Sequence, residues 1–193
     1  MSCYHAPTEY LTNSGFEIKT GGSYRTPWTD SETGKAYTFD ISTGSDVYYS
    51  IYTRNENNYR TYFGTTQDDT DGVTKGTLIL QQRVTVPTGI AISVTVWVKS
   101  LCDASTDAFT FELRFDSITV ATYSPTQDQK NVWTPIGTTD ASQAILVVPA
   151  QGSSTQHTVS LRVTTQGFAN KDIFAADDFS ITAIAGPGNV PIC

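Results

Sequence analysis

The sequence predicts an all-β protein built as a two-layer antiparallel β-sandwich. Apolar residues recur with a period of two along several segments, and no 3.6-residue stripe runs anywhere. The chain holds 31 Thr and 17 Ser beside 10 Tyr and 9 Phe. Such β-branched and aromatic side chains suit a pleated, half-buried surface better than a helix. Turn signals punctuate the alternating runs at Gly21-Gly22, Thr43-Gly44-Ser45, Pro87-Thr88-Gly89, Asp103-Ala104-Ser105 and Gln151-Gly152-Ser153. Many short strands with one apolar face each bury those faces against one another, which requires two layers.

In chain order, Val47 to Tyr52 fits a strand with Val47, Tyr49 and Ile51 inward and Tyr48, Ser50 and Tyr52 outward. Leu78 to Val86 repeats the pattern. Ile92 to Lys99 is the clearest strand: Ile92, Val94, Val96 and Val98 face one way, and Ser93, Thr95, Trp97 and Lys99 the other. Phe109 to Asp116 sets four apolar residues against Thr110, Glu112, Arg114 and Asp116. Shorter strands are expected at Ile145 to Val148, Val159 to Val163 and Phe179 to Ile181. Arg54 to Gly76 departs from the scheme, being rich in Asn, Thr, Asp and Gly around Tyr59, Tyr62 and Phe63. It reads either as a functional loop or as a surface loop containing a hairpin. Asp68-Asp69-Thr70-Asp71-Gly72 lacks the spacing and terminal Glu of an EF-hand loop. One domain is expected over 1–185, with 186–193 a tail ending in cysteine. No internal repeat or interdomain linker is found.

Charge narrows the function classes. Twelve Lys and Arg against 19 Asp and Glu give −7 over 193 residues and a pI near 4.6. Nucleic acid and anionic membrane surfaces both need a clustered cationic surface, and the sequence shows none. No apolar run is long enough for a membrane span. The start, Met1-Ser2-Cys3-Tyr4-His5, has no signal-peptide pattern, which fits either a cytosolic protein or a mature secreted domain. The cysteines favour secretion. A Cys3–Cys193 bridge would close nearly the whole chain and stabilise by about 5 kcal/mol at most in the loop-entropy model. The odd count leaves one thiol over, and Cys102 is the third cysteine. One disulfide is expected, the alternative being three unpaired thiols. Titration of the unfolded, unreduced chain should therefore find fewer than three sulfhydryls. No Asn-x-Ser/Thr sequon occurs, so any glycosylation would be O-linked.

Catalytic equipment is sparse. The histidines are His5 and His157, and no nucleophile elbow, zinc-protease helix, Cys-x-x-Cys pair or phosphate-binding Gly loop is present. A glycosidase needs two carboxylates facing each other across the sugar. Strict alternation would send Asp177 and Asp178 to opposite faces. A non-catalytic chain is expected.

Several landmarks together resemble a known family. Leu11-Thr12-Asn13-Ser14-Gly15-Phe16-Glu17 followed by Pro27-Trp28 is similar to the opening of family 4, 9 and 22 type carbohydrate-binding modules. Leu80-Gln81-Gln82-Arg83-Val84 with its Pro87-Thr88-Gly89 turn resembles the family's middle strand. So do the Trp97-bearing strand ending in Lys99, Trp133-Thr134, and Ala176-Asp177-Asp178-Phe179-Ser180-Ile181. The landmarks run in order from about residue 10 to 182. The resemblance implies a galactose-binding-like jelly roll that binds glycans without cleaving them, and a structural calcium ion near the joined chain ends.

Alternation from Phe179 and Ile181 turns Asp177 inward, where a carboxylate needs a cation or several donors. Glu17 is the second expected ligand of a hard Ca²⁺ and Asp46 the third. The alternative is capping by backbone N–H groups with no metal.

Sugar binding needs rings turned away from the core. Trp97 is the first candidate platform, or else a ring covered by the 54–76 segment. Tyr48 and Tyr52 form a second platform. Glu112 and Arg114 are candidate hydroxyl partners, or a mutual ion pair. Tyr59 and Tyr62 are candidates for a site at the loop edge. Trp28 and Trp133 are expected to pack. Two functions are expected to compete: a secreted module that holds a partner on a polysaccharide, and a cell-surface adhesin domain, for example on a fungal surface. The Thr/Ser-rich composition and the Gly186-Pro187-Gly188 exit lean towards the adhesin. A monomeric domain of a larger protein fits both.

Overall fold

The computed structural model describes residues 9–34, 37–43, 60–66, 74–101, 108–138, 146–148, 155–168 and 173–183. Eleven strands are described: β1 (Thr29–Gly34), β2 (Tyr37–Thr43), β3 (Arg60–Thr66), β4 (Thr74–Thr85), β5 (Ala91–Leu101), β6 (Ala108–Phe115), β7 (Ile118–Tyr123), β8 (Thr134–Gly137), β9 (Leu146–Val147), β10 (Gln156–Phe168) and β11 (Ile173–Ala183). A single 3₁₀ turn, Gln127–Gln129, is the one helical element among the described residues. Every strand pairing is antiparallel. One sheet runs β1-β4-β10-β6-β7. The other runs β2-β3-β11-β5-β8, with β9 on β5 beyond β8. The sandwich is the predicted one.

Alternation explains why the two sheets close on each other. On β5, Ile92, Val94, Val96 and Val98 are buried while Ser93, Thr95, Trp97 and Lys99 are only partly covered. On β6, Phe109, Phe111, Leu113 and Phe115 are buried, and the residues between them face out. Leu80 of β4, Leu161 of β10 and Leu113 of β6 stand in one register row at the middle of the core. At one end Phe109, Phe111 and Phe174 meet edge-to-face across the two sheets, with centroids 5.5 to 6.2 Å apart.

The other end is closed by the segment before β1. Trp28 lies 4.4 Å from Phe179, and Phe16 packs against both. Trp28 is buried, as expected of a packing residue. The segment bridges the layers through its backbone. Tyr10 N–H donates to Ile181 O, and Phe179 N–H to Ser14 O, on the six-stranded sheet. On the five-stranded sheet, the buried Gln82 amide pairs with Thr12 in both directions, at 2.9 and 2.8 Å. Asn13 is the hub of this turn. Its Nδ2 donates to Tyr24 O at 2.6 Å and Thr26 O at 3.0 Å, with Ile18 O at 3.2 Å, and its Oδ1 accepts Ile18 N–H. The Trp28 indole N–H donates to Asn13 O.

The 54–76 segment contains a full strand. β3 lies inside it and pairs with β2 on one side and β11 on the other, and β4 begins at Thr74. Tyr62 therefore belongs to a sheet and not to a loop edge; its backbone pairs with Ala176 and Ile41. The expected Val47–Tyr52 strand and the 186–193 tail lie outside the described residues.

Candidate functional site

Trp97 lies on the outer face of the six-stranded sheet, half-buried near the middle of β5. Register sets it between Pro135 of β8 and Asp177 of β11. Thr95 and Lys99 stand two residues away on the same face, about 7 Å along the strand in each direction. Thr95 in turn lies opposite Ser180 and Gly137, and Lys99 opposite Ala175. Partial burial holds the Lys99 ammonium below the ordinary lysine range, because desolvation penalises its charge. An indole flanked by a hydroxyl and an ammonium offers what a pyranose can use. The sugar's C–H face can stack on the ring while its hydroxyls find donors and acceptors at the rim.

Asp177 reaches this neighbourhood by a route that alternation does not foresee. Asp177 pairs with Trp97 and Ser180 with Thr95, so Asp178 and Phe179 both stand opposite Val96. This is a β-bulge, with Asp178 in the left-handed region at φ 46°. The extra residue shifts the phase of β11. Phe179 and Ile181 still face the core, but Asp177 shares the outer face with Trp97, contrary to the inward orientation expected from alternation. It is nevertheless only 2% exposed, because the N-terminal turn lies against it. A Cβ added to Gly15 would sit 3.2 Å from Asp178 Oδ1, 3.6 Å from Asp177 Oδ1 and 3.9 Å from Glu17 Cγ. The two neighbouring aspartates thus converge on one point instead of diverging, which corrects the second expectation drawn from alternation.

These carboxylates form a partial set. Asp177 Oδ1 accepts the Asp178 N–H at 2.8 Å, and Glu17 is exposed. Among the described residues, no three His, Cys, Asp or Glu side chains form a ready metal cage. Asp177 Oδ1 and Asp178 Oδ1 beside Gly15 are oxygen atoms of the kind a hard cation takes as ligands. Asp46 lies outside the described residues, as do Tyr48, Tyr52, Tyr59, Cys3, Cys102 and Cys193.

Glu112 and Arg114 are on the other side of the molecule. Both project from the outer face of β6, in the five-stranded sheet, while Trp97 projects from the outer face of β5 in the opposite sheet. Packed sheets lie about 10 Å apart, and their outer faces point away from each other. Trp97 and the Glu112–Arg114 pair therefore cannot grip the same sugar ring. Trp133 is partly buried, and its indole N–H is enclosed without a hydrogen-bond partner.

The structure also pairs two residues that sequence spacing left apart. His157 Nδ1 lies 2.7 Å from Asp116 Oδ2, and Asp116 Oδ1 accepts the Thr158 N–H. The imidazole is buried and stacked on Phe115 at 5.0 Å. Among the described residues its enclosed Nε2 has no hydrogen-bond partner. This His–Asp pair anchors the β6–β7 turn to β10 and is not arranged as a triad.

No protein-family model matches the sequence, and no curated protein matches it. Solved structures do match in fold. TmCBM61, a carbohydrate-binding module solved in complex with β-1,4-galactotriose, is 19% identical. The match covers 91% of this chain and 99% of that one, with a TM-score of 0.54. A structure from a study of promiscuous carbohydrate-binding modules of the β-sandwich superfamily is 14% identical; 90% of this chain and 62% of that chain are covered at a TM-score of 0.51. A cyclase from Fischerella sp. TAU, in complex with 4-(1H-indol-3-yl)butan-2-one, is 14% identical over 93% of this chain and 98% of its own, at 0.52. At these identities the likeness shows the fold: a jelly-roll β-sandwich used by carbohydrate-binding modules and also by a cyclase.

Proposed function

We propose that the chain is a non-catalytic, extracellular glycan-binding module that stacks a neutral sugar on Trp97. The observation that carries this reading is a half-buried indole on an outer sheet face, beside Thr95, Lys99 and Asp177, in a fold shared with carbohydrate-binding modules. Trp97 is not among the side chains of the buried core between the sheets. The cyclase relative means that fold alone leaves catalysis open, so the site must speak. Around Trp97 the described acid is Asp177, and its neighbour Asp178 meets it at Gly15 and not across a substrate-sized gap. Secretion also carries the expected disulfide. The same face would serve the polysaccharide-directed module and the surface adhesin alike.

A glycan array on the intact chain tests this reading. Binding to one or more neutral oligosaccharides is the expected result. An array blank for all neutral glycans, with and without Ca²⁺, would remove it.

A structural Ca²⁺ belongs to the same proposal. Asp177 and Glu17 would contribute ligands beside Gly15, with Asp46 as the third and backbone carbonyls filling the rest. When bound, the ion would neutralise carboxylates that are costly to enclose. The residues then lock the N-terminal turn onto the bulge of β11. The melting temperature is accordingly expected to fall when a chelator replaces excess Ca²⁺. Identical melts under the two conditions would rule the ion out.

A further inference from the structure

The outer face of the five-stranded sheet has a different chemistry from the Trp97 face. Register aligns Ile79, Arg162, Glu112 and Thr122 in one row across β4, β10, β6 and β7. The next row holds Gln81, Ser160, Arg114 and Thr119. Neither row has an aromatic ring on which a neutral pyranose could stack. They carry two arginines and one carboxylate instead, and Arg83 stands exposed one row further along, opposite Thr158.

The two guanidiniums bracket Glu112 without gripping it. Glu112 Oε1 is 3.6 Å from Arg114 Nε, and its Oε2 is 3.9 Å from Arg162 Nη1, both beyond hydrogen-bond distance. Glu112 is held by Thr119, whose hydroxyl donates to Oε1 at 2.7 Å. The Arg114 side chain makes one long bond, from Nη2 to Ser117 O at 3.3 Å, and the Arg162 side chain makes no hydrogen bond among the described residues, its ion pair with Glu112 being 3.9 Å long. The Nε atoms of both are enclosed and unpartnered, an arrangement that costs free energy until an acceptor arrives. Both side chains are still about a third to two-fifths exposed, at 33% and 43%. Swinging either towards a ligand sacrifices almost no existing hydrogen bond.

We propose that this face binds the carboxylate of a uronate-bearing glycan between Arg114 and Arg162, with Glu112 accepting from a neighbouring sugar hydroxyl. The planar guanidinium fork matches a carboxylate with two parallel N–H···O bonds. The chain's net charge of −7 disfavours polymers with several negative charges per sugar. One carboxylate per sugar, met by a local excess of arginine, suits this surface better than a heavily sulfated polymer. The inference rests on the glycan-binding reading but uses the opposite face from Trp97.

Calorimetric titration of the intact chain tests it with polygalacturonate, the fully methyl-esterified polymer of the same backbone, and dextran sulfate. Polygalacturonate is expected to bind, and esterification to weaken it at least tenfold. Arg162→Gln and Arg114→Gln should each weaken polygalacturonate by about tenfold, the loss of a charged hydrogen bond. Equal affinity for the esterified polymer would overturn the proposal without any variant being made. Unchanged binding in both arginine variants, or tighter binding of dextran sulfate than of polygalacturonate, would do the same. Neutral glycans on the array with no polygalacturonate binding would remove this inference alone. A blank neutral array with esterification-sensitive polygalacturonate binding would remove the Trp97 reading and leave this one standing.

Discussion

Trp97→Ala is expected to lower affinity for a neutral glycan by about thirtyfold, while the fold survives. The indole is the one described large ring on the outer face of the central strands β5 and β11. Removing an anchoring aromatic costs about 2 kcal/mol of binding, which is that fold-change. Its contribution to folding is smaller. The core side of β5 is made by Ile92, Val94, Val96 and Val98, none of which the substitution touches. The melting temperature is expected to drop by only a few degrees, as for a partly exposed position. Trp97→Phe should recover part of the affinity, since a smaller ring still offers a flat face. Titration of the parent and both variants against the best array ligand measures this. Unaltered affinity in Trp97→Ala would place the sugar elsewhere, and the tyrosines of the first half of the chain would be the next to test.

Asn13→Ala is expected to cost about 3 kcal/mol of stability, because one buried side chain bonds several part-buried backbone groups at once. The substitution leaves Tyr24 O and Thr26 O without their donor, and Ile18 N–H without its acceptor. A part-buried polar group left bare costs towards the low end of about 1–3 kcal/mol. Asn13 also sits at φ 54°, a conformation that asparagine tolerates and alanine resists by about 1 kcal/mol. For a chain of this size the melting temperature should fall by about 10 °C. The loss should spread to function. The turn that Asn13 organises carries Gly15 and Glu17, which meet Asp177 beside Trp97. Thermal unfolding followed by circular dichroism gives the direct measure. A variant melting within a degree of the parent would mean that water takes over the broken bonds and that the turn is not held by this amide.

Legibility of the fold varied with burial. β4, β5, β6 and β10 were readable because each is central to a sheet and has one face pressed on the core, so that their apolar residues keep strict alternation. β1, β2 and β8 carry no clear alternation because edge strands bury less and tolerate Thr, Asp, Pro and Gly. β3 lies inside a segment that composition marks as a loop; its Gly64 and its three threonines resemble turn chemistry until β2 and β11 pair with them. The site was readable only in part. Trp97 and the solvent-facing pair Glu112 and Arg114 followed from period two. That these lie on opposite faces of the sandwich did not, because alternation says which side of a strand a residue takes but not which sheet the strand joins.

Local pattern alone was sufficient to specify extended strands, their inward and outward faces, and a ring on β5 with no core to fill. These are consequences of the two-residue repeat of the backbone, which every stretch of sequence carries within itself. Three features needed the folded chain: the bulge that turns Asp177 onto the Trp97 face, the turn that brings Gly15 against it, and the meeting of Arg114 and Arg162 around Glu112. Each depends on pairing between residues far apart in the chain, as Asp177 with Trp97 and Arg162 with Glu112. Such pairing is set by how whole sheets bury their apolar faces, and no short window of residues encodes it.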